Sequence, residues 1–456
     1  MSLCLGRLRD TKQAADVHAR QEPVEAHSGA YTEFLRRHER AVTRAIHEGP
    51  HAVKAMLPQL VDRIADSRNL RIAWGHLARH GGATPGPNGV TYRDVEGPEI
   101  WELMRTLGRS IREGTYQPGP TREVRIPKGP DRGYRTLTLH NIEDRVVQRA
   151  IVQIIQPILD YRFDEHSYGF RPNRGRLNAL ATAIAESQRG RTLWITEDIK
   201  TAFDRVPHGR LQDVLRKQLP DQRLMDLMGT VNSNRQKRGI PQGSPLAPLL
   251  LNLYLDHHLD KVWRKVNPDQ PLLRYADDLL IPCETRQEAT EARAKLERIL
   301  TPAGMLLKGT PETAIRDLSE GEEAEWLGYT VRLEEDGLRT HVTEDAWREL
   351  RERLTLAHTE ELPPLRIVPA LSGWVDQFGP CRPHTDVAAV YARIKEEAGK
   401  LAFDEIPGEA EVRERIHRAH ERWEVLLGRA KGSSMGLITD GGSACLQKAT
   451  KRRNGE

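Results

Sequence analysis

Four cysteines in 456 residues are few, and no two of them form a C-x-x-C pair. Cys4, Cys283, Cys381 and Cys445 therefore outline neither a zinc ribbon nor a disulfide framework. Aromatic residues make up 5% of the chain and hydrophobic residues 38%. No apolar run reaches the roughly 18 residues that a membrane span requires, so no membrane partner is expected. The opening stretch, MSLCLGRLRDTKQ, has no apolar secretion-signal core, and the expected compartment is a reducing cytoplasm. No internal repeat is visible. Apolar segments with regular spacing do recur along most of the chain, which excludes wholesale disorder.

Charge of one sign is also scarce overall. The formal net charge is +4. That small number is a cancellation. Residues 101–250 carry 25 Lys or Arg against 16 Asp or Glu, whereas residues 310–336 carry nine acids and two bases. A basic block is either a phosphate footprint or a solvated surface, and charge alone leaves both open. The acidic stretch reads as an insert that faces away from any nucleic acid.

Residues 1–80 read as helical, and GGATPGPNG (81–89) as a loop by its Gly and Pro density. Residues 98–113 suit a helix, with Pro98 at its start and Gly114 after its end. Residues 121–139 suit a β-hairpin. In 142–159, Val147, Ile151, Ile154, Ile155 and Ile158 recur at helical spacing. TLWITEDI (192–199) reads as a buried strand, 244–262 as a helix, LLRYADDLLIP (272–282) as strand, turn and strand, and 286–301 as a helix. Residues 343–358 and 385–428 read as helical, and the Gly-, Ser- and Lys-rich end as a loose tail.

The chemistry concentrates in acids. Tyr275-Ala276-Asp277-Asp278 lies between two apolar runs. Adjacent carboxylates at a turn repel each other, and water or a cation between them relieves this. By itself an Asp-Asp turn is an ordinary turn. Asp198, however, ends a second apolar stretch. Hard cations such as Mg²⁺ take one or two carboxylates plus substrate phosphates. Two such ions, about 3.5–4 Å apart, can activate a hydroxyl and stabilise a leaving oxygen. Sequence spacing alone does not bring Asp198, Asp277 and Asp278 together.

Eight segments in order resemble the reverse transcriptase family, most closely its group II intron and bacterial retroelement members. IPKGPDRGYRTL (126–137) is similar to the fingers motif, and DRVVQRAI (144–151) and SYGFRPNRG (167–175) to the motif that follows. DIKTAFD (198–204), GIPQGSPLAPLLLNLYLD (239–256) and YADD (275–278) resemble the three palm motifs. WLGY (326–329) resembles the primer grip and LSGWVDQFG (371–379) the thumb. The resemblance covers residues 81–380, about two thirds of the chain.

The resemblance implies an α+β, right-hand polymerase. Fingers and an antiparallel palm sheet would occupy 81–337, a helical thumb 338–430, a helical N-terminal extension 1–80 and a flexible tail 431–456. It implies two Mg²⁺ ions held by Asp198 and Asp277 with help from the Ile199 carbonyl, and Asp278 as partner carboxylate. Lys128 and Arg135 would grip the incoming deoxynucleoside triphosphate. Phe203 would crowd a 2′-hydroxyl. Gln242 would touch nucleotide or template, with Gly243 allowing close backbone approach. Arg171 would meet template phosphate. The expected partners are an RNA template, structured and non-coding, and a DNA or RNA primer.

Plainer roles are expected for other residues. Asp204 reads as a cap or hydrogen-bond partner. Tyr168, Phe170, Trp374 and Phe378 read as packing, and Asp256-His257-His258-Leu259-Asp260 as a helix face. The family's lysine-threonine pair is displaced in AGMLLKGTPETAIRDL (303–318), where Lys308 is the nearest lysine and the candidate general acid. PQGSPLAP is shorter than the form typical of intron-encoded enzymes, and no His-Asn-His pattern follows. These features lean toward a free-standing, defence-associated enzyme. The alternative is a maturase-like RNA-binding protein in which splicing or RNA folding dominates. The basic block serves either, because phosphate contacts carry no sequence information.

Overall fold

The computed structural model describes residues 28–80, 84–127, 133–232, 237–335, 337–359, 363–382, 384–403 and 406–433. Lys128, Cys4, Cys445 and nearly all of the expected tail lie outside the described residues. The chain divides into two compact units. The first holds described residues up to Glu165 together with Lys200–Val262 and Ile299–Leu306; the second holds His166–Ile199, Trp263–Arg298 and described residues from Leu307 onward.

The first unit is built around the helix Ile142–Asp160. The five residues at helical spacing are buried, but so are Val146, Ala150, Val152 and Leu159. A helix that is apolar on all sides is a central one. Helices Ser28–Glu48 and Ser67–His80 pack on it. The His38 ring is 2.8 Å from the Ile154 carbonyl. Buried Asp144 accepts from Tyr116 Oη at 2.7 Å and from the Gly119 N–H at 3.0 Å, which offsets the cost of hiding a carboxylate.

The expected hairpin is present. Strand β1 (Arg122–Pro127) pairs antiparallel with β2 (Tyr134–Leu139) over six residues. The expected helix at 244–262 is Ala247–Leu255 continued by a π-helical turn, Asp256–Asp260. Asp256 and Asp260 are buried, and the Asp256 carboxylate accepts from the Asp164 N–H at 3.0 Å and pairs with Lys261.

The second unit carries two antiparallel sheets. The larger joins β3 (Leu193–Asp198), β4 (Leu273–Tyr275), β5 (Asp278–Cys283) and β6 (Ile315–Asp317) in the order β4-β5-β3-β6. Helix Arg176–Ser187 packs on β4 and β5, and the long helix Glu409–Ser433 packs on that helix. The smaller sheet is β7 (Ala324–Trp326), β8 (Tyr329–Glu334) and β9 (Gly337–Val342).

The acidic stretch is folded into the two sheets. It supplies β6, β7 and β8, with Glu312, Glu320, Glu322, Glu323 and Glu325 exposed and Ala314, Leu318, Ala324 and Trp326 buried between them. The segment read as helical over 385–428 holds two helices, Val387–Gly399 and Glu409–Ser433, with Pro407 and Gly408 directly ahead of the second. Trp374 and Phe378 are core residues, as expected, with their rings 5.2 Å apart. Among the described residues no helix is long and apolar enough to cross a membrane.

Trp374 is fully buried, packs with its ring tilted 59° against Trp347 at 4.5 Å and donates its indole N–H to the Ala346 carbonyl at 2.9 Å. Trp374→Ala is expected to cost about 3–5 kcal/mol of unfolding free energy, read from urea denaturation.

Candidate active site

Strand register brings the three acids together. In the β3–β5 ladder Asp198 stands directly opposite Asp278. Directly opposed residues project to the same face of a sheet. The β4–β5 connection is a two-residue turn, Ala276-Asp277, closed by the Tyr275–Asp278 pair. Ala276 has φ +59°, a left-handed conformation that an L-residue adopts only when its surroundings impose it.

The surroundings are the SYGF segment. Ser167 forms a parallel bridge with Arg274, the Tyr168 N–H donates to the Arg274 carbonyl at 2.8 Å, and the Arg274 N–H donates to the His166 carbonyl at 2.9 Å. A Cβ on Gly169 would collide with the Ala276 nitrogen, so only glycine lets this backbone reach the turn. The fully buried Arg274 guanidinium donates to the Ala276 carbonyl at 3.1 Å. Beyond β3, the Ile199 N–H donates to the Asp277 carbonyl at 3.0 Å. In extended backbone the N–H and C=O of one residue point the same way, so the Ile199 carbonyl also faces the acidic turn.

Lys308 lies at this cluster. Its N–H donates to the Asp198 carbonyl at 2.9 Å, and its ammonium is 3.0 Å from Asp198 Oδ2. Burial raises the Asp277 pKa, and the neighbouring charge of Asp198 raises it further. Asp278 is pushed up to about 7 by burial, then by Asp198, then by Asp277. Like charges in a half-buried place resist joint ionisation, and this is the electrostatic signature of a site that gains from a cation. Among the described residues no three Asp, Glu, His or Cys side chains converge on a single ion position. The donor set suits a small hard cation that takes one or two carboxylates and completes its shell with substrate oxygens.

The remaining expected residues lie in the first unit, with two exceptions. Phe203 is half-buried on the short helix Ala202–Arg205, and its carbonyl accepts from the Ile240 N–H at 2.8 Å. Asp204 accepts from Gln242 Nε2 at 3.2 Å, the hydrogen-bonding role expected of it. The Gln242 carbonyl accepts from the Thr138 N–H at 2.6 Å. Gly243 has φ +106°, and a Cβ there would be 2.7 Å from the Thr138 carbonyl oxygen. The close approach that Gly243 permits is thus to β2. Arg135 is exposed on that strand.

The exceptions are Lys128, outside the described residues, and Arg171. Arg171 was expected at template phosphate, but it is buried and donates to the Ser167 carbonyl at 2.8 Å, so it braces the SYGF segment. Phe170, expected to pack, is instead 47% exposed with φ +58°. Tyr168 is buried as expected, its hydroxyl 2.9 Å from that of Thr182.

Sequence reasoning missed Arg274, Glu197 and Arg293. Arg274 and Glu197 are charged residues inside apolar strands, and that was the available signal. Arg293 on helix Arg286–Leu300 gave none, because its partner Glu197 is 96 residues away.

Residues 126–331 match the family described as reverse transcriptase (RNA-dependent DNA polymerase). Protein YkfC of Escherichia coli K12 is 33% identical over 40% of this chain and 50% of its own length. The group II intron-encoded protein LtrA of Lactococcus lactis subsp. cremoris is 33% identical over 35% of this chain and 28% of its own. The putative COX1/OXI3 intron 2 protein of Saccharomyces cerevisiae is 31% identical over 44% of this chain and 24% of its own. The chain spans half or less of the length of each.

A raised carboxyl pKa means that the folded chain holds a proton the unfolded chain has released. Stability contributed by Asp278 is therefore lost as pH rises from its ordinary value of 3.8 to about 7. With a chelator present, the protein is expected to lose on the order of 4 kcal/mol across that window. Millimolar MgCl₂ should restore stability at pH 8 and not at pH 5. Asp278→Asn should flatten the slope. Thermal unfolding across pH checks all three.

Proposed function

We propose that the protein is an RNA-directed DNA polymerase, a reading that starts from the match of residues 126–331 to the reverse transcriptase family. What supports the reading is the register that sets Asp198 opposite Asp278, with Asp277 in the adjoining turn. Asp198 and Asp277 would hold the metal ions with the Ile199 carbonyl, and Asp278 would support them. Two divalent cations, Mg²⁺ in this proposal, would activate the primer 3′-hydroxyl and neutralise charge on the phosphates.

The chain's own groups do the rest. The 3′-hydroxyl attacks the α-phosphate in line and gives up its proton to solvent, as the bond from the α-phosphorus to the pyrophosphate oxygen breaks and pyrophosphate leaves. Lys308 donates a proton to the departing pyrophosphate. Arg135, whose planar fork suits a phosphate, and Lys128 bind the triphosphate. Phe203 excludes a 2′-hydroxyl, and Gln242 orients nucleotide or template. Gly243 keeps Gln242 against β2.

The finer proposal is a dedicated, structured RNA as template and antiviral defence in the cytoplasm as setting. The short PQGSPLAP motif supports it over an intron setting. RNA sequenced from the purified protein tests it: one small RNA encoded beside the gene supports defence, and intron RNA overturns it.

Asp277→Ala combined with Asp278→Ala is expected to abolish primer extension on an RNA template. Wild-type extension by that variant would remove the site assignment. Phe203→Ala should raise ribonucleotide incorporation relative to deoxynucleotides by about 10- to 200-fold, measured in single-nucleotide extension.

A further inference from the structure

We propose that Glu197 and Arg293 are positioning residues, whose buried ion pair clamps the loop carrying Lys308 so that its ammonium stays on Asp198. The proposal rests on the reading of Asp198, Asp277 and Asp278 as a polymerase centre. Glu197 immediately precedes Asp198 on β3, and alternation sends its side chain to the opposite face. Its side chain is 1% exposed and that of Arg293 is 8% exposed. Charges are rarely buried to this degree without a partner, and here the partner reaches a third group.

The bonds close a ring around one peptide. Arg293 Nε donates to Glu197 Oε1 at 2.8 Å, and Arg293 Nη2 lies 2.7 Å from the same oxygen. Arg293 Nη2 also donates to the Gly309 carbonyl at 2.7 Å. The Gly309 N–H donates to Glu197 Oε2 at 3.1 Å. Both polar groups of Gly309 are thus held by the pair, and the preceding residue is Lys308. On its other side Lys308 is held by Asp198, through the main chain at 2.9 Å and the ammonium at 3.0 Å.

A Cβ on Gly309 would be 3.0 Å from Glu197 Oε2 and 3.3 Å from Thr313 Oγ1, so glycine lets the loop lie flat on the carboxylate. Thr310 then opens the short helix Pro311–Ala314, which returns the chain to β6 beside β3. The loop is tied at both ends to the strand that carries Asp198.

A buried ion pair adds little net stability compared with apolar residues of the same shape, so its presence calls for a role in geometry. The planar guanidinium can bridge a carboxylate and a carbonyl at once, whereas a lysine ammonium in its place meets one of them. The Lys308 ammonium is well exposed, and the clamp holds the peptide that directly follows it.

Two variants test this in the full-length protein: Glu197→Leu with Arg293→Met, which keeps the packing, and Arg293→Lys, which keeps the charge. Single-turnover extension is expected to show a kcat 10- to 100-fold lower in both, with KM for the nucleotide within twofold. Acetylation of Lys308 by an N-hydroxysuccinimide ester, followed by mass spectrometry, should run several-fold faster, because the ammonium is no longer anchored. That second readout needs neither metal nor turnover. Where the double variant fails to fold, Arg293→Lys carries the test. Wild-type kcat and wild-type Lys308 labelling would overturn the proposal, provided the Asp277→Ala, Asp278→Ala protein is inactive. Wild-type extension by that protein would instead remove the polymerase reading itself.

Discussion

Three carboxylates of like charge are held within one corner of a sheet, and the backbone puts them there against their mutual repulsion. The ladder sets Asp198 across from Asp278, and the turn sets Asp277 beside them. Hydrogen bonds between main-chain groups do not depend on side-chain charge, so strand pairing can gather acids that would disperse in solution. Neighbouring features serve that gathering. Gly169 brings a second backbone onto the turn, Arg274 holds the Ala276 carbonyl, and Ala276 accepts a left-handed conformation.

The cost of the arrangement is electrostatic, and it appears in the protonation of the acids. Asp277 and Asp278 are driven upward by burial and by Asp198. Lys308 offsets part of that charge from one side. Such a cluster gains from a nearby cation, and the proposed nucleotidyl transfer would bring one.

Charge elsewhere sorts into two uses. Within the basic block, Arg145 and Arg171 are buried and brace backbone carbonyls, while Arg122, Arg125 and Arg135 are exposed on the β1–β2 hairpin. The block is therefore partly scaffold, and fewer of its cations are exposed than its count suggests. The acidic stretch is likewise structural. Its glutamates alternate with buried Ala324 and Trp326 along β7, and Glu334 pairs with Arg332 and Arg339 across β8 and β9.

The local elements were legible because their causes are local. Apolar spacing marked the helix Ile142–Asp160, alternation and glycines marked the β1–β2 hairpin, and the order of short motifs marked the family. The three acids could be nominated for the same reason. Other features depend on partners far along the chain. Phe170 turned outward and Arg171 inward because of how the SYGF backbone docks on β4, and no spacing rule encodes that docking. Glu197 met Arg293, and Lys308 met Asp198, across separations of 96 and 110 residues. The sequence by itself determined which residues could carry the chemistry. The tertiary structure decided which of them stand together, because strand register and buried ion pairs are settled only when distant segments exclude water from one another.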